Sequence, residues 1–374
     1  MSRWYFAIIL CTFFYVKSFS QDSISFKKKS WIPEVTLEAY LEAYYQYDFN
    51  QPADGARPPF VFSFNRHNEF NINLAYLKTS FQHDRYRANL ALMAGTYSAA
   101  NLANESPVMR HVLEANIGFR LAKGLWIDAG IFPSYIGFES TVGMDCFNLS
   151  RSILADNSPY FFSGVKLGYT TPNGKLYVAA HLVNGWQNIK ETPYNSNKAI
   201  GIQIQVLPSE NITLNYSNFI GYETPDSAKH WRFFNNLYGI FKIHKNFQFI
   251  TGFDIGIQEK QPGDLLNVHL WFSPVLIART TFAQKLAIAF RGEYYHDRKG
   301  IIVNTGLPGG IRTWGVSLNL DYQPWEYLIC RLEGKFWMNT SGKIFSTSEG
   351  FSRFSPVINA SMAFRYAMLL NPGK

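Results

Sequence analysis

The feature that most constrains this chain is a two-residue alternation carried through segments of about ten residues. In Phe247-Gln248-Phe249-Ile250-Thr251-Gly252-Phe253-Asp254-Ile255-Gly256-Ile257-Gln258 the odd positions are nearly all large and apolar, and the even ones are mostly Gln, Gly and Asp. Successive side chains of a strand point to opposite faces, so one face of this segment requires hydrocarbon and the other tolerates water. Strands of soluble sandwiches commonly stop at about five or six residues. Strands of roughly ten residues with separate wet and greasy faces suit a tilted bilayer crossing. The pattern predicts an all-β chain forming a transmembrane antiparallel up-and-down β-barrel.

Short turn signals recur at a spacing of roughly forty residues. They are His83-Asp84-Arg85, Ala122-Lys123-Gly124, Pro172-Asn173-Gly174, Pro208-Ser209-Glu210, His244-Lys245-Asn246, Ala283-Gln284-Lys285 and Gln323-Pro324-Trp325. Longer, more polar connections lie between them near 48–69, 98–110, 133–160, 186–198, 221–230, 259–265, 297–310 and 338–356. Short turns on one side and long loops on the other are the asymmetry of outer-membrane barrels. Together they imply about sixteen strands with short periplasmic turns and long extracellular loops. A propeller blade would place four short strands in the same interval, where this chain has room for two long ones.

Alternation assigns faces strand by strand. Ile200, Ile202 and Ile204 face lipid against Gln203 and Gln205. Ile288 and Phe290 oppose Ala287, Ala289 and Arg291, while Ile358, Met362 and Phe364 oppose Asn359, Ser361 and Arg365. For 70–76 the expected lipid set is Phe70, Ile72, Leu74 and Tyr76. The segment 231–242 alternates too poorly to assign. Tyr45, Tyr47, Phe49, Tyr97, Trp186 and Trp337 near the loops, and Tyr86, Tyr169, Tyr322 and Trp325 near the turns, are candidates for the two aromatic girdles.

Composition agrees with strands rather than helices in the membrane. Aromatic residues make up 17% of the 374-residue chain, yet the mean hydropathy is only −0.12, as expected when half of each strand faces water. The apolar run at 4–16 is too short for a helical span. With Arg3 before it and Ser18-Phe19-Ser20 after it, the run reads as a secretory signal over 1–20. A periplasmic tail would follow at 21–33, and one barrel would fill 34–374. Loss of Arg3 and Lys17 with the signal takes the net charge from +8 to +6. The single basic run, Lys27-Lys28-Lys29, comes with no recognition motif and does not argue for nucleic acid. Cys146 and Cys330 would remain, too few for a disulfide framework. No cofactor or metal cluster is expected.

About sixteen strands leave an aqueous bore where eight would not, and the few residues before 34 leave no room for a separate plug. Parity places Glu38, Glu42, Glu114, Asp128, Asp254, Glu293 and Glu333 on the lumen face with Lys78, Arg120, Lys166, Arg291, Arg331, Lys335 and Arg365. On the lipid face a Lys or Arg near the midplane would cost about 2–4 kcal/mol. Signs alternate along Arg291/Glu293 and Arg331/Glu333/Lys335. Such rows can form a transverse field that orients solutes or an ion-pair network that braces the wall. Neither sign dominates. The connection 133–160 is the candidate constriction, carrying Tyr135, Glu139, Asp145, Arg151 and Asp156.

That connection also carries a family resemblance. Ile131-Phe132-Pro133-Ser134-Tyr135-Ile136-Gly137-Phe138-Glu139-Ser140, then Asn148-Leu149-Ser150-Arg151-Ser152 and Asn157-Ser158-Pro159-Tyr160, resemble the β-barrel porins of Bacteroidota known as OmpL-like. The resemblance runs loosely from about residue 34 onward and is specific over 131–164. It implies an outer-membrane barrel of porin function. A departure is the ending Leu370-Asn371-Pro372-Gly373-Lys374, where such barrels usually carry a terminal aromatic; Phe364 and Tyr366 are the alternatives.

His67, His111, His181, His230, His269 and His296 sit in no nucleophile motif, so no catalytic residue is expected. The reading is a porin for passive diffusion of small polar solutes. The alternative is a barrel with a closed lumen whose loops form a binding or enzymatic surface. Outer-membrane lipid and the barrel-assembly machinery are the expected partners, with homo-oligomerisation open because lipid and protein interfaces use the same apolar outer residues.

Overall fold

The computed structural model describes residues 33–370; the expected signal at 1–20 and the tail through residue 32 lie outside the described residues. The first eight strands are β1 (Glu34–Asp48), β2 (Phe70–Gln82), β3 (Tyr86–Ala94), β4 (Val112–Ala122), β5 (Leu125–Pro133), β6 (Phe161–Thr170), β7 (Leu176–Val183) and β8 (Ala199–Ser209). There follow β9 (Ile212–Gly221), β10 (Arg232–His244), β11 (Phe247–Glu259), β12 (Val268–Ala283), β13 (Leu286–Asp297), β14 (Ile311–Trp325) and β15 (Leu328–Asn339). A small hairpin in the last long loop, β16 (Phe345–Thr347) with β17 (Gly350–Ser352), precedes β18 (Phe354–Leu370).

Every strand but those of the small hairpin joins one closed antiparallel barrel of sixteen strands. Each pairs with its neighbours in sequence, and β18 closes on β1 from Val35↔Leu370 to Asp48↔Val357. Closure leaves no strand edge unpaired, the condition for sheet in hydrocarbon. The strand number read from the turn signals is the number observed. One turn is displaced: Gln323, Pro324 and Trp325 still belong to β14, and the chain reverses at Glu326-Tyr327 after a register shift between Tyr322 and Trp325.

The outer wall is apolar, as on β14, where Trp314, Val316, Leu318, Leu320 and Tyr322 are exposed while Thr313, Ser317, Asn319 and Asp321 are buried inside. The expected faces hold on β8, β11, β13 and β18. On β2 they do not. A bulge between Glu42 and Ala43 shifts the β1–β2 register, so Phe70 and Ile72 face out while Leu74 and Tyr76 turn inward and are buried. Tyr76 stacks on Tyr40 and donates its hydroxyl to Glu38. An added residue in one strand inverts every face beyond it. The unassigned β10 presents Arg232, Phe234 and Asn236 to the interior and Leu237 to lipid.

Part of the loop-side girdle also moves inward. Tyr45, Tyr47 and Phe49 lie on the outer rim, with Tyr45 against Phe70 and Tyr47 against Phe49. Tyr97, Trp186 and Trp337 instead pack inside. Cys146 is buried in the loop between β5 and β6, Cys330 shares the outer face of β15 with Leu332, and both are free thiols.

Candidate functional site

The extracellular half of the bore is built from loops. Where the inner wall nears the loop ends its side chains become large and apolar. Phe162, Phe219, Phe234 and Trp271 form a buried cluster with Phe132, Tyr135 and Ile136. Trp337 and Tyr295 form another with Phe60, Val61, Ile153, Val303 and Phe345, which the first, third and last two long loops contribute. An apolar inner wall attracts loops out of water, since burying such side chains is worth about 1.5–3 kcal/mol each.

The loop 134–160 crosses the bore and is held by wall charges that parity had placed inside. Arg291 is fully buried on β13. It donates to the Ser150 carbonyl at 2.6 Å and the Ser150 hydroxyl at 3.1 Å, and lies 3.3–3.6 Å from Glu333, Glu293 and Glu139. Glu333 accepts the Ser150 amide at 2.7 Å. Glu293 accepts the Ile153 amide at 2.6 Å and the Trp337 indole at 2.8 Å. Lys335 donates to the Arg151 carbonyl at 2.8 Å. Arg331 reaches the carbonyls of Gly143, Cys146 and Phe147 at 2.8–3.0 Å and is paired with Asp321 at 2.8 Å. The alternating rows on β13 and β15 therefore brace the wall and clamp loop backbone. Each otherwise unpaired loop amide or carbonyl that they meet would be costly to bury.

The remaining inward groups fall into two sets. Asp254 on β11 accepts from Ser158 and Asn236, each at 2.6 Å. Glu42 on β1 accepts from Asn73 at 2.8 Å. Gly143 of the loop lies against the Glu42 carboxylate so closely that a Cβ would collide with it. These two join the clamp. By contrast Glu38, Lys78, Arg120, Lys166 and Arg365 are half-exposed toward the periplasmic half of the bore. Glu114 is paired with Lys78 at 2.5 Å, and Asp128 with Arg87 at 2.6 Å and Lys166 at 3.7 Å. Arg120 lies at the turn-side rim, 3.6 Å from Asp84.

The five loop residues have distinct settings. Tyr135 stacks on His181 and donates to the Asn218 carbonyl at 3.0 Å. Ser152 caps the short helix α1 (Ile153–Asp156), accepting the Ala155 amide at 3.1 Å, and Glu139 holds that cap by accepting the Ser152 amide at 3.0 Å. Asp145 meets Arg365 at 2.7 Å across the bore. Arg151 ties the loop to itself through the carbonyls of Ser140, Leu149 and Thr141 at 2.5–3.1 Å. Asp156 is buried beside Tyr160, and desolvation pushes its carboxyl above the usual carboxylate range. The stretch Asn148-Leu149-Ser150-Arg151-Ser152, which carried the family resemblance, is the part that docks on β13–β15.

Wall residues of this arrangement that escaped the sequence reading include Arg87, Arg279, Asn319 and Asp321. Asn319 accepts the Leu149 amide at 3.0 Å, and Arg279 pairs with Asp321 at 2.7 Å. Their signal was the same alternation, Arg87-x-Asn89 between Ala88 and Leu90, and Asn319-x-Asp321 between Leu318, Leu320 and Tyr322.

The family model described as "Putative beta-barrel porin-2, OmpL-like" matches residues 34–366. The chain belongs to this family. It is an outer-membrane β-barrel porin, and its fold is that of solved porins despite low identity. The anion-selective porin from Comamonas acidovorans is similar with a TM-score of 0.58 at 9% identity, over 89% of this chain and 100% of that one. The outer membrane channel DcaP of Acinetobacter baumannii gives 0.57 at 9%, over 91% and 99%. OmpT of Vibrio cholerae, in its trimer form, gives 0.55 at 11%, over 90% and 100%. No curated protein matches the sequence.

Proposed function

We propose that this porin gives small polar solutes passive diffusion across the outer membrane, past a constriction made by the loop 134–160. The observation that carries the reading is the contrast between the two halves of the bore. On the periplasmic side, inward polar groups such as Lys78, Asn89, Asn116, Lys166, Gln203 and Gln205 remain half-exposed to water. Toward the outside, loops occupy the section against β13–β15. In this reading Glu38, Lys78, Glu114, Arg120, Asp128, Lys166 and Arg365 line the solute path. Glu42, Asp254, Arg291, Glu293, Arg331, Glu333 and Lys335 hold the constriction in place. No group is assigned a catalytic role. Residues 1–20 direct export, and the partners are outer-membrane lipid, the barrel-assembly machinery and further copies of the chain.

Liposome swelling tests the reading directly. Vesicles carrying the refolded, heat-modifiable protein are expected to swell in isosmotic arabinose, more slowly in glucose, and barely in a trisaccharide. Vesicles that fail to swell in arabinose would contradict it.

A further inference from the structure

In two clusters of the inner wall, acids lie behind and bases lie in front. On β2–β6 three bases share two acids. Lys78 is 24% exposed and its partner Glu114 8%. Arg87 is 14% exposed and Lys166 23%, while the Asp128 between them is 3%. Across the bore two bases share one acid: Arg279 is 21% exposed, and Asp321, which it shares with the buried Arg331, is 2%. Aromatic rings hold the cations in place, Trp126 lying 4.4 Å under Arg87 and Phe132 5.3 Å from Lys166. The acids are backed by neutral donors or by the wall, as where Asn116 donates to Glu114 at 3.0 Å and Asn319 to Asp321 at 2.6 Å. The arrangement lapses at Glu38, half-exposed opposite Lys78 across the β1–β2 pair, and at Arg365–Asp145 and the rim pair Arg120–Asp84, where both partners meet water.

Resting on the diffusion reading above, we infer that the bore favours anions, so that its solute class is small carboxylates and phosphates. A solute entering from the periplasmic half meets the ammonium groups of Lys78 and Lys166 and the guanidinium groups of Arg87 and Arg279 ahead of the carboxylates paired with them. Charges lining a pore raise the local concentration of the opposite ion, and over a Debye length of about 8–10 Å the carboxylates behind do not cancel them fully. The total of inward charges, in which both signs are well represented, conceals this because it counts buried and exposed groups alike.

The test is the reversal potential of the refolded protein in a planar bilayer under a tenfold KCl gradient. Chloride is expected to permeate several-fold better than potassium. The double variant Lys78→Glu with Lys166→Glu is expected to abolish or invert that preference, and the milder pair Lys78→Gln with Lys166→Gln to reduce it, each scored only in barrels that remain heat-modifiable. Conducting barrels that favour potassium would overturn the inference while leaving diffusion standing, as would variants whose reversal potential equals that of the parent. An absence of conductance would overturn the diffusion reading and this inference with it.

Discussion

Replacing residues 138–157 with a short Gly-Ser linker is expected to raise single-channel conductance several-fold. A closed barrel of about sixteen strands is wide enough for an aqueous channel, and here the deleted segment fills the section between β11 and β15. The retained Tyr135 and Ile136 keep the apolar cluster against Phe162 and Phe219. The deletion uncovers Arg291, Glu293, Glu333 and Lys335, but as neighbouring opposite charges in a water-filled bore they become solvated rather than stranded. The barrel itself, closed by strand pairing all round, is expected to remain heat-modifiable. Steps of unchanged size from the deleted form would show that the loop does not limit flow.

The second large effect is expected from Arg291→Ala. Arg291 is fully buried among Glu139, Glu293 and Glu333 and also donates twice to Ser150. Removing one partner from a buried ion-pair cluster leaves uncompensated charge and typically costs about 3–5 kcal/mol. The variant should lose its compact gel form at a clearly lower temperature than the parent. Arg291→Lys should fall between them, because an ammonium keeps the charge but not the planar fork that reaches several acceptors at once. An alanine variant as heat-resistant as the parent would refute the clamp.

What could be read in the sequence was whatever depends on neighbours along a strand. Period-two alternation set the faces of β8, β11, β13 and β18, and turn chemistry set the strand number. The β1–β2 bulge was harder to read because one added residue alters no composition. Yet it left a trace: Lys78, which must face water, has the parity of Phe70, which faces lipid, so a register shift had to lie between them. Trp337 was read as an interfacial anchor although its parity matches Glu333 and Lys335. Its position inside, like that of Phe234 and Trp271, marks where loops pack inward.

The destination of the third long loop was not legible in the same way. It depends on backbone groups of Ser150, Arg151 and Ile153 meeting Arg291, Glu293, Glu333 and Lys335 from strands far along the chain, and nothing local encodes that pairing. The charges themselves were visible, and their alternation admitted both a transverse field and a brace. Only contact with the loop distinguishes the two. Which lumen charges meet water was likewise invisible to parity, which assigns a face but not a depth.

The most direct test of the central claim is single-channel recording of the intact refolded protein in a planar bilayer. Stable, reproducible conductance steps from heat-modifiable barrels are the expected result. A properly folded barrel that stays electrically silent would contradict it and assign the loops, rather than the bore, as the working part of the molecule.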